Sequence, residues 1–199
     1  MKAFLHRLSG QAGTSLAEML LALGITAVVT SFAVPLTASI VDASRVRQAA
    51  TFAAIRLRFA KQQAVSRSVS TGLVFDEVGS RWTISICADG NGNGLRRADL
   101  RSGQDTCAEG PFDVATMFPG VQIAVDEMIR GPDGDAPSGD PVRFGSSNLA
   151  SFSPNGTCTA GSLFLRSAKG VQYAVRIAGV TGRLRILRYE PVSRTWRET

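Results

Sequence analysis

Histidine is almost absent from this chain: the single one among 199 residues is His6, close to the N-terminus. The remainder has no imidazole for a Ser-His or Cys-His dyad or for the usual zinc sites. Lysine is scarce too. Beyond Lys2 only Lys61 and Lys169 occur, neither beside a nucleophile pattern, and no glycine-rich loop ending in Gly-Lys-Ser/Thr is present to cradle phosphates. A hydrolase would have to draw its carboxylates from Asp126 and Glu127 or from the acidic loop beyond them. These absences argue against an enzyme, and no cofactor is expected. No repeat of about 20 to 50 residues is seen, so a solenoid is unsupported.

What the chain does have is an ordered N-terminus. A short leader with Lys2 and Arg7 runs into Gly13-Thr14-Ser15-Leu16-Ala17-Glu18, and an uncharged run of 23 residues follows from Met19 to Val41, with Pro35 its only proline. Roughly 20 apolar residues in a helix cross the hydrocarbon of a bilayer, so this run is long enough to span. A secretory signal is cut after its apolar core, which is then lost. Here the small-residue site, Gly13, precedes the run, and a cut after it leaves the run in the mature protein. A carboxylate near the end of a membrane helix is costly unless it reaches the interface or finds a partner. Both readings apply to Glu18. Pro35 removes a helix hydrogen bond, which a membrane helix tolerates as a kink.

These residues resemble the class III leaders of type IV pilins and type II secretion pseudopilins. In that family a glycine precedes the cut, an acid stands at the fifth mature position and a proline often at the twenty-second; Gly13, Glu18 and Pro35 fall in that register, while Thr14 replaces the usual Phe or Met. The resemblance implies cleavage by a prepilin peptidase and methylation of Thr14 as the new N-terminus. It also implies that Glu18 meets the α-amino group of a neighbouring subunit, and that Pro35 marks where the helix loosens as subunits pack. A single-pass protein of the bacterial inner membrane follows, with a periplasmic C-terminal domain that enters a pilus or pseudopilus.

Beyond the run, Val46, Ala50, Ala53, Leu57, Ala60 and Ala64 recur at helical spacing, and Phe52, Ile55 and Phe59 form a second stripe. The first assignment packs the Phe/Ile stripe on the protein's own sheet and leaves the alanine stripe for neighbouring subunits; the reverse is the alternative. After Thr71-Gly72 the pattern alternates, and strands are expected at residues 73–75, 82–86, 121–125, 163–165, 172–177 and 183–187. Residues 131–140 read as an exposed, mobile loop. The fold class is therefore α+β: a long N-terminal helix over antiparallel strands. Four segments result: leader 1–13, membrane and assembly helix 14–41, amphipathic continuation 42–70, and an antiparallel β domain 71–199.

Charge is uneven within the net +6. Residues 76–140 hold 12 acids against 5 bases, a balance of −7, and residues 163–199 hold 8 bases against 2 acids, or +6. A basic end suits a polyanion, and equally protects a strand edge from aggregation.

Phe152-Ser153-Pro154-Asn155-Gly156, Gly161-Ser162-Leu163-Phe164-Leu165, Val175-Arg176-Ile177 and Gly182-Arg183-Leu184-Arg185 resemble successive signatures of the GspH/FimT group, which holds FimT-type minor pilins and the pseudopilin GspH. Arginines two apart on a strand share a face at about 7 Å, near the spacing of successive phosphates. FimT-type pilins linked to DNA uptake carry a Gly-Arg-x-Arg pattern that Gly182, Arg183 and Arg185 match, so the resemblance implies phosphate-backbone contact there. Arg188, Arg194 and Arg197 add charge, and Arg176 is expected on a neighbouring strand. The expected partners are other pilins or pseudopilins, the prepilin peptidase, the inner membrane and DNA. A GspH-type pseudopilin of type II secretion is the alternative, since its hairpins also expose arginines.

Two smaller features complete the reading. Asp89, Asn91 and Asn93 begin like a calcium loop, but Leu100 stands where a bidentate Glu is needed; a polar turn is the favoured reading. Outside the cytoplasm disulfides persist. Cys87 and Cys107 are then the favoured pair, closing the acidic loop, with Cys107–Cys158 as the alternative.

Overall fold

The computed structural model describes residues 15–199 except position 180, with the side chains of residues 32–36 left aside. The expected cleavage site, Gly13 and Thr14, and the side chain of Pro35 lie outside the described residues. The chain divides into two compact units, Met1–Ile40 and Val41–Thr199.

Helix α1 spans Leu16–Arg67. Ser15 opens it by accepting from the Ala17 N–H, and Glu18 sits in the first turn, where a negative charge meets the positive end of the helix dipole. Among the described residues of the first unit the large apolar side chains, Leu16, Leu20, Leu23, Ile25, Val28 and Val29 among them, are exposed. The hydroxyls of Thr26, Thr30 and Ser31 donate back to the carbonyls of Ala22, Thr26 and Val28, so they are satisfied without solvent. Among the described residues no helix is long and apolar enough to cross a membrane.

In the second unit α1 ends where Ser68 takes a left-handed φ of 55°. Among the described residues ten strands follow, in two antiparallel sheets. The first sheet holds β1 (Thr71–Val78), β2 (Arg81–Ala88), β3 (Thr106–Asp113) and β6 (Leu149–Phe152) in the order β3-β2-β1-β6. The second holds β4 (Val121–Gln122), β5 (Val142–Arg143), β7 (Gly161–Ser167), β8 (Gln172–Ala178), β9 (Arg183–Glu190) and β10 (Thr195–Glu198) in the order β10-β9-β8-β7-β4, with β5 also pairing to β7. Two short helices, α2 (Arg97–Ser102) and α3 (Val114–Met117), sit in the connections. The α+β class and the antiparallel sheets are as expected from the pattern.

One core joins α1 to both sheets. Leu73, Phe75, Ile84, Ile86 and Phe152 of the first sheet and Leu163, Leu165, Val175 and Ile177 of the second share a cluster with Val46, Ala50, Ala53, Leu57, Ala60 and Ala64. This reverses the first assignment of the helix faces. The alanine stripe is fully buried on the protein's own sheets, because small helix residues let bulky sheet residues such as Phe75 and Phe152 approach closely. Ile55 is exposed, and Phe52 packs sideways on Phe112 and Phe118.

Cys87 and Cys107 face each other across β2 and β3 and form a disulfide; Cys158 is free and half-buried.

Candidate nucleic-acid interface

The second sheet has an outer face turned away from α1. Along β9, Leu184 and Ile186 pack against the core, so alternation turns Arg183, Arg185 and Leu187 outward. Along β8, Tyr173, Val175 and Ile177 point inward, which turns Ala174 and Arg176 outward. The register places Arg176 opposite Arg185 and Ala178 opposite Arg183, so three guanidinium groups share one face. Arg188 does not join them. It lies one step off in the alternation, beside Glu190 at 3.7 Å, and pairs in register with Arg197 of β10; both belong to the opposite side. Arg194 lies in the β9–β10 turn, with a left-handed φ of 52°.

Gly182 sets the start of β9. Its φ is 59°, and a Cβ there would lie 2.8 Å from the Lys61 ammonium. Lys61 donates to the Gly182 carbonyl at 3.1 Å, tying the approach to Arg183 to the buried helix. Glycine takes that left-handed backbone without the strain a side chain would carry.

Two carboxylates complete the face, and local sequence spacing does not reveal them. Glu198 of β10 reaches Arg183 at 3.6 Å and Arg185 at 3.7 Å. Asp133, from the segment expected to be mobile, pairs with Arg176. Arg183, Arg185 and Glu198 all keep roughly half their surface, at 62%, 45% and 49%. Ion pairs this exposed are worth about 0 to 1 kcal/mol. Beside them Phe164, Ala174, Leu187 and Val125 form a small apolar cluster edged by Trp196, and Trp196 packs on Phe164 and Tyr189.

The aspartates on either side of α2, Asp89 in the β2–α2 loop and Asp105 just before β3, have a different task. Asp89 accepts from the N–H groups of Asn91, Gly92 and Gly94 at 2.7–3.0 Å, and Asp105 accepts from those of Gly90 and Arg96 at 3.0 Å. Backbone donors thus occupy the carboxylate oxygens that a calcium ion would need. Asn91 directs its amide to Gln104 and Asp99, and Asn93 lends its N–H to the Asn91 side chain. Among the described residues no group of three or more His, Cys, Asp or Glu is placed to hold a metal ion.

Fold and face together define an α+β protein with a long N-terminal helix, two antiparallel sheets and an arginine-bearing outer sheet face. Comparison of the chain with protein-family models, with curated proteins and with solved structures finds no match.

Proposed function

We propose that the chain is a pilin-like minor pilin of a type IV pilus system, held in the inner membrane before assembly through its N-terminal helix, and that it contacts DNA by way of Arg176, Arg183 and Arg185. The leader pattern around Gly13, Glu18 and Pro35 supports the assembly half. The exposed apolar side chains of residues 16–29 agree with a helix that needs a lipid or protein partner. The observation that carries the DNA half is the register of Arg176 against Arg185 beside Arg183, which groups three guanidinium groups on one sheet face. Such contacts bind the phosphate backbone without reading bases.

The test is the affinity of the full chain, in nonionic detergent at low salt, for a short DNA duplex. Arg183→Ala with Arg185→Ala is expected to weaken binding at least about tenfold; unchanged affinity defeats the DNA reading. One observation favours the second reading, a GspH-type pseudopilin of type II secretion: Glu198 already pairs both β9 arginines, as a face with no polyanion to meet would require. Loss of secretion in a chain that never binds DNA is the result that selects it.

A further inference from the structure

The segment from Asp126 to Asp140 is not free. At its start the Asp126 N–H donates to the Gln172 side chain at 3.1 Å, and Arg166 lies 3.7 Å from the Asp126 carboxylate. In its middle Trp196 Nε1 donates to the Arg130 carbonyl at 2.8 Å, and Asp133 pairs with Arg176. At its end the Arg143 guanidinium, stacked over Phe164, donates to the carbonyls of Ser138 and Asp140 at 2.7 and 2.9 Å. Every one of these anchors lies on the second sheet or at its edge, and one carboxylate of the segment lands on an arginine of the candidate interface. An exposed polar stretch with few apolar residues is thus pinned at both ends, while its middle is held by one ion pair and one indole hydrogen bond.

We infer that residues 126–140 form an acidic strap that masks the arginine face, and that Asp133 and Glu198 occupy positions that phosphates of a nucleic acid take when it binds. The inference rests on the DNA reading above and concerns its regulation. Three outward guanidiniums face two internal carboxylates, so a phosphate backbone gains its contacts only by exchange. Glu198 exchanges by a side-chain rotation. Asp133 exchanges by release of the strap's middle, which also breaks the Trp196 bond. A ligand with a single phosphate displaces one carboxylate and gains little; a strand with consecutive phosphates displaces both and keeps all three arginines. The strap therefore favours polymers over small phosphates.

The experiment uses the full chain in nonionic detergent, a DNA duplex, and inorganic phosphate as the single-phosphate comparison. Asp133→Asn combined with Glu198→Gln is expected to raise duplex affinity about threefold to tenfold, as loss of two competing carboxylates and their three ion pairs allows. Glu77→Gln, on β1 of the other sheet, makes a single charge change of the same kind and is expected to stay within about twofold. An equal gain from Glu77→Gln and from Asp133→Asn alone shows that net charge is responsible and overturns the strap. In a Trp82→Phe background Trp196 is the sole indole. Duplex is expected to shift its emission to the red, whereas inorganic phosphate is not; an unmoved Trp196 under saturating duplex also overturns the strap. If the double variant gains nothing while Arg183→Ala with Arg185→Ala still weakens binding about tenfold, the strap fails and the DNA reading stands. If the double variant loses binding that the parent has, the strap fails; if neither binds duplex, the DNA reading has failed.

Discussion

Asp89 and Asp105, in the connections on either side of α2, and Arg183 and Arg185 on β9 are all charged, yet they are held by different means. The two aspartates are only 7% and 3% exposed and are gripped by main-chain N–H groups, which cannot move without unfolding the loop. The two arginines stand in solvent and lean on one side-chain carboxylate at 3.6 to 3.7 Å. Charge fixed by backbone is architecture, since nothing else can satisfy those donors at the same place. Charge balanced by an exposed carboxylate is exchangeable, because water, salt or a phosphate replaces the partner at little cost.

The largest expected effect breaks the first half of that comparison if it fails to appear. Asp89→Ala removes a buried carboxylate that accepts from three backbone N–H groups, and a hydrogen bond to a charged group is worth about 1.5 to 3 kcal/mol. Urea unfolding of the full chain is expected to show a loss of about 3 kcal/mol or more. A loss below about 1 kcal/mol would mean that the loop relaxes, and that its carboxylates are as replaceable as Glu198.

Next comes the helix, whose buried face is fixed as firmly as the loop. Ala53 is fully buried among bulky sheet residues, so Ala53→Leu overpacks the core and is expected to cost about 1 to 3 kcal/mol. Ile55→Ala, at a nearby exposed position of the same helix, is expected to change stability by less than about 0.5 kcal/mol. Equal effects would return the alanine stripe to a surface role.

The helix also shows what a sequence carries and what it withholds. The spacing of Val46, Ala50, Ala53, Leu57, Ala60 and Ala64 declares a helix with one apolar face, but a stripe of small residues suits a second helix as well as a sheet. What decides is the bulk of Phe75 and Phe152, which lie on strands far along the chain. The strands β1, β2, β7, β8 and β9 are legible from alternation. The strand β3 is not, since Gly110-Pro111 interrupts it and most of it is exposed; proline belongs on an edge strand, which is where β3 lies. At the interface, Gly182, Arg183 and Arg185 are legible because their relation is local, and Arg176 because β8 and β9 are adjacent. Glu198, Asp133 and Lys61 are not, because their partners are set by register and by a long connection.

The exchangeable side is sharpened by salt. Arg183→Ala with Arg185→Ala is expected to leave stability within about 0.5 kcal/mol of the parent while duplex affinity falls about tenfold. If about three phosphates are neutralised, raising salt from roughly 50 to 200 mM weakens binding of the parent about 40-fold, and the slope is shallower in the double variant. A destabilised variant, or an unchanged slope, would show that the arginines hold the sheet together rather than serve a ligand.

Asp113 lies between the two regimes and gives the smallest effect. It caps α3, accepting from the N–H groups of Ala115 and Thr116 at 2.9 and 3.3 Å and from the Thr116 hydroxyl at 2.8 Å, and it faces the exposed Arg81 at 3.3 Å. The Thr116 hydroxyl above all, together with the two N–H groups and Arg81, holds its carboxyl below the ordinary aspartate range against the opposing effect of burial. A depressed folded-state value means that the ionised form is stabilised by folding. That contribution is complete above the unfolded value of about 3.9 and is lost as pH falls through the lower folded value. Asp113→Ala is expected to cost about 1 kcal/mol near neutrality, as loss of an N-cap does, and the gap from the parent should close in acid. If urea unfolding finds the same gap at neutral pH and well below pH 4, the hydrogen bonds to Asp113 are indifferent to its charge. Asp113 would then belong with packing rather than with either kind of charge.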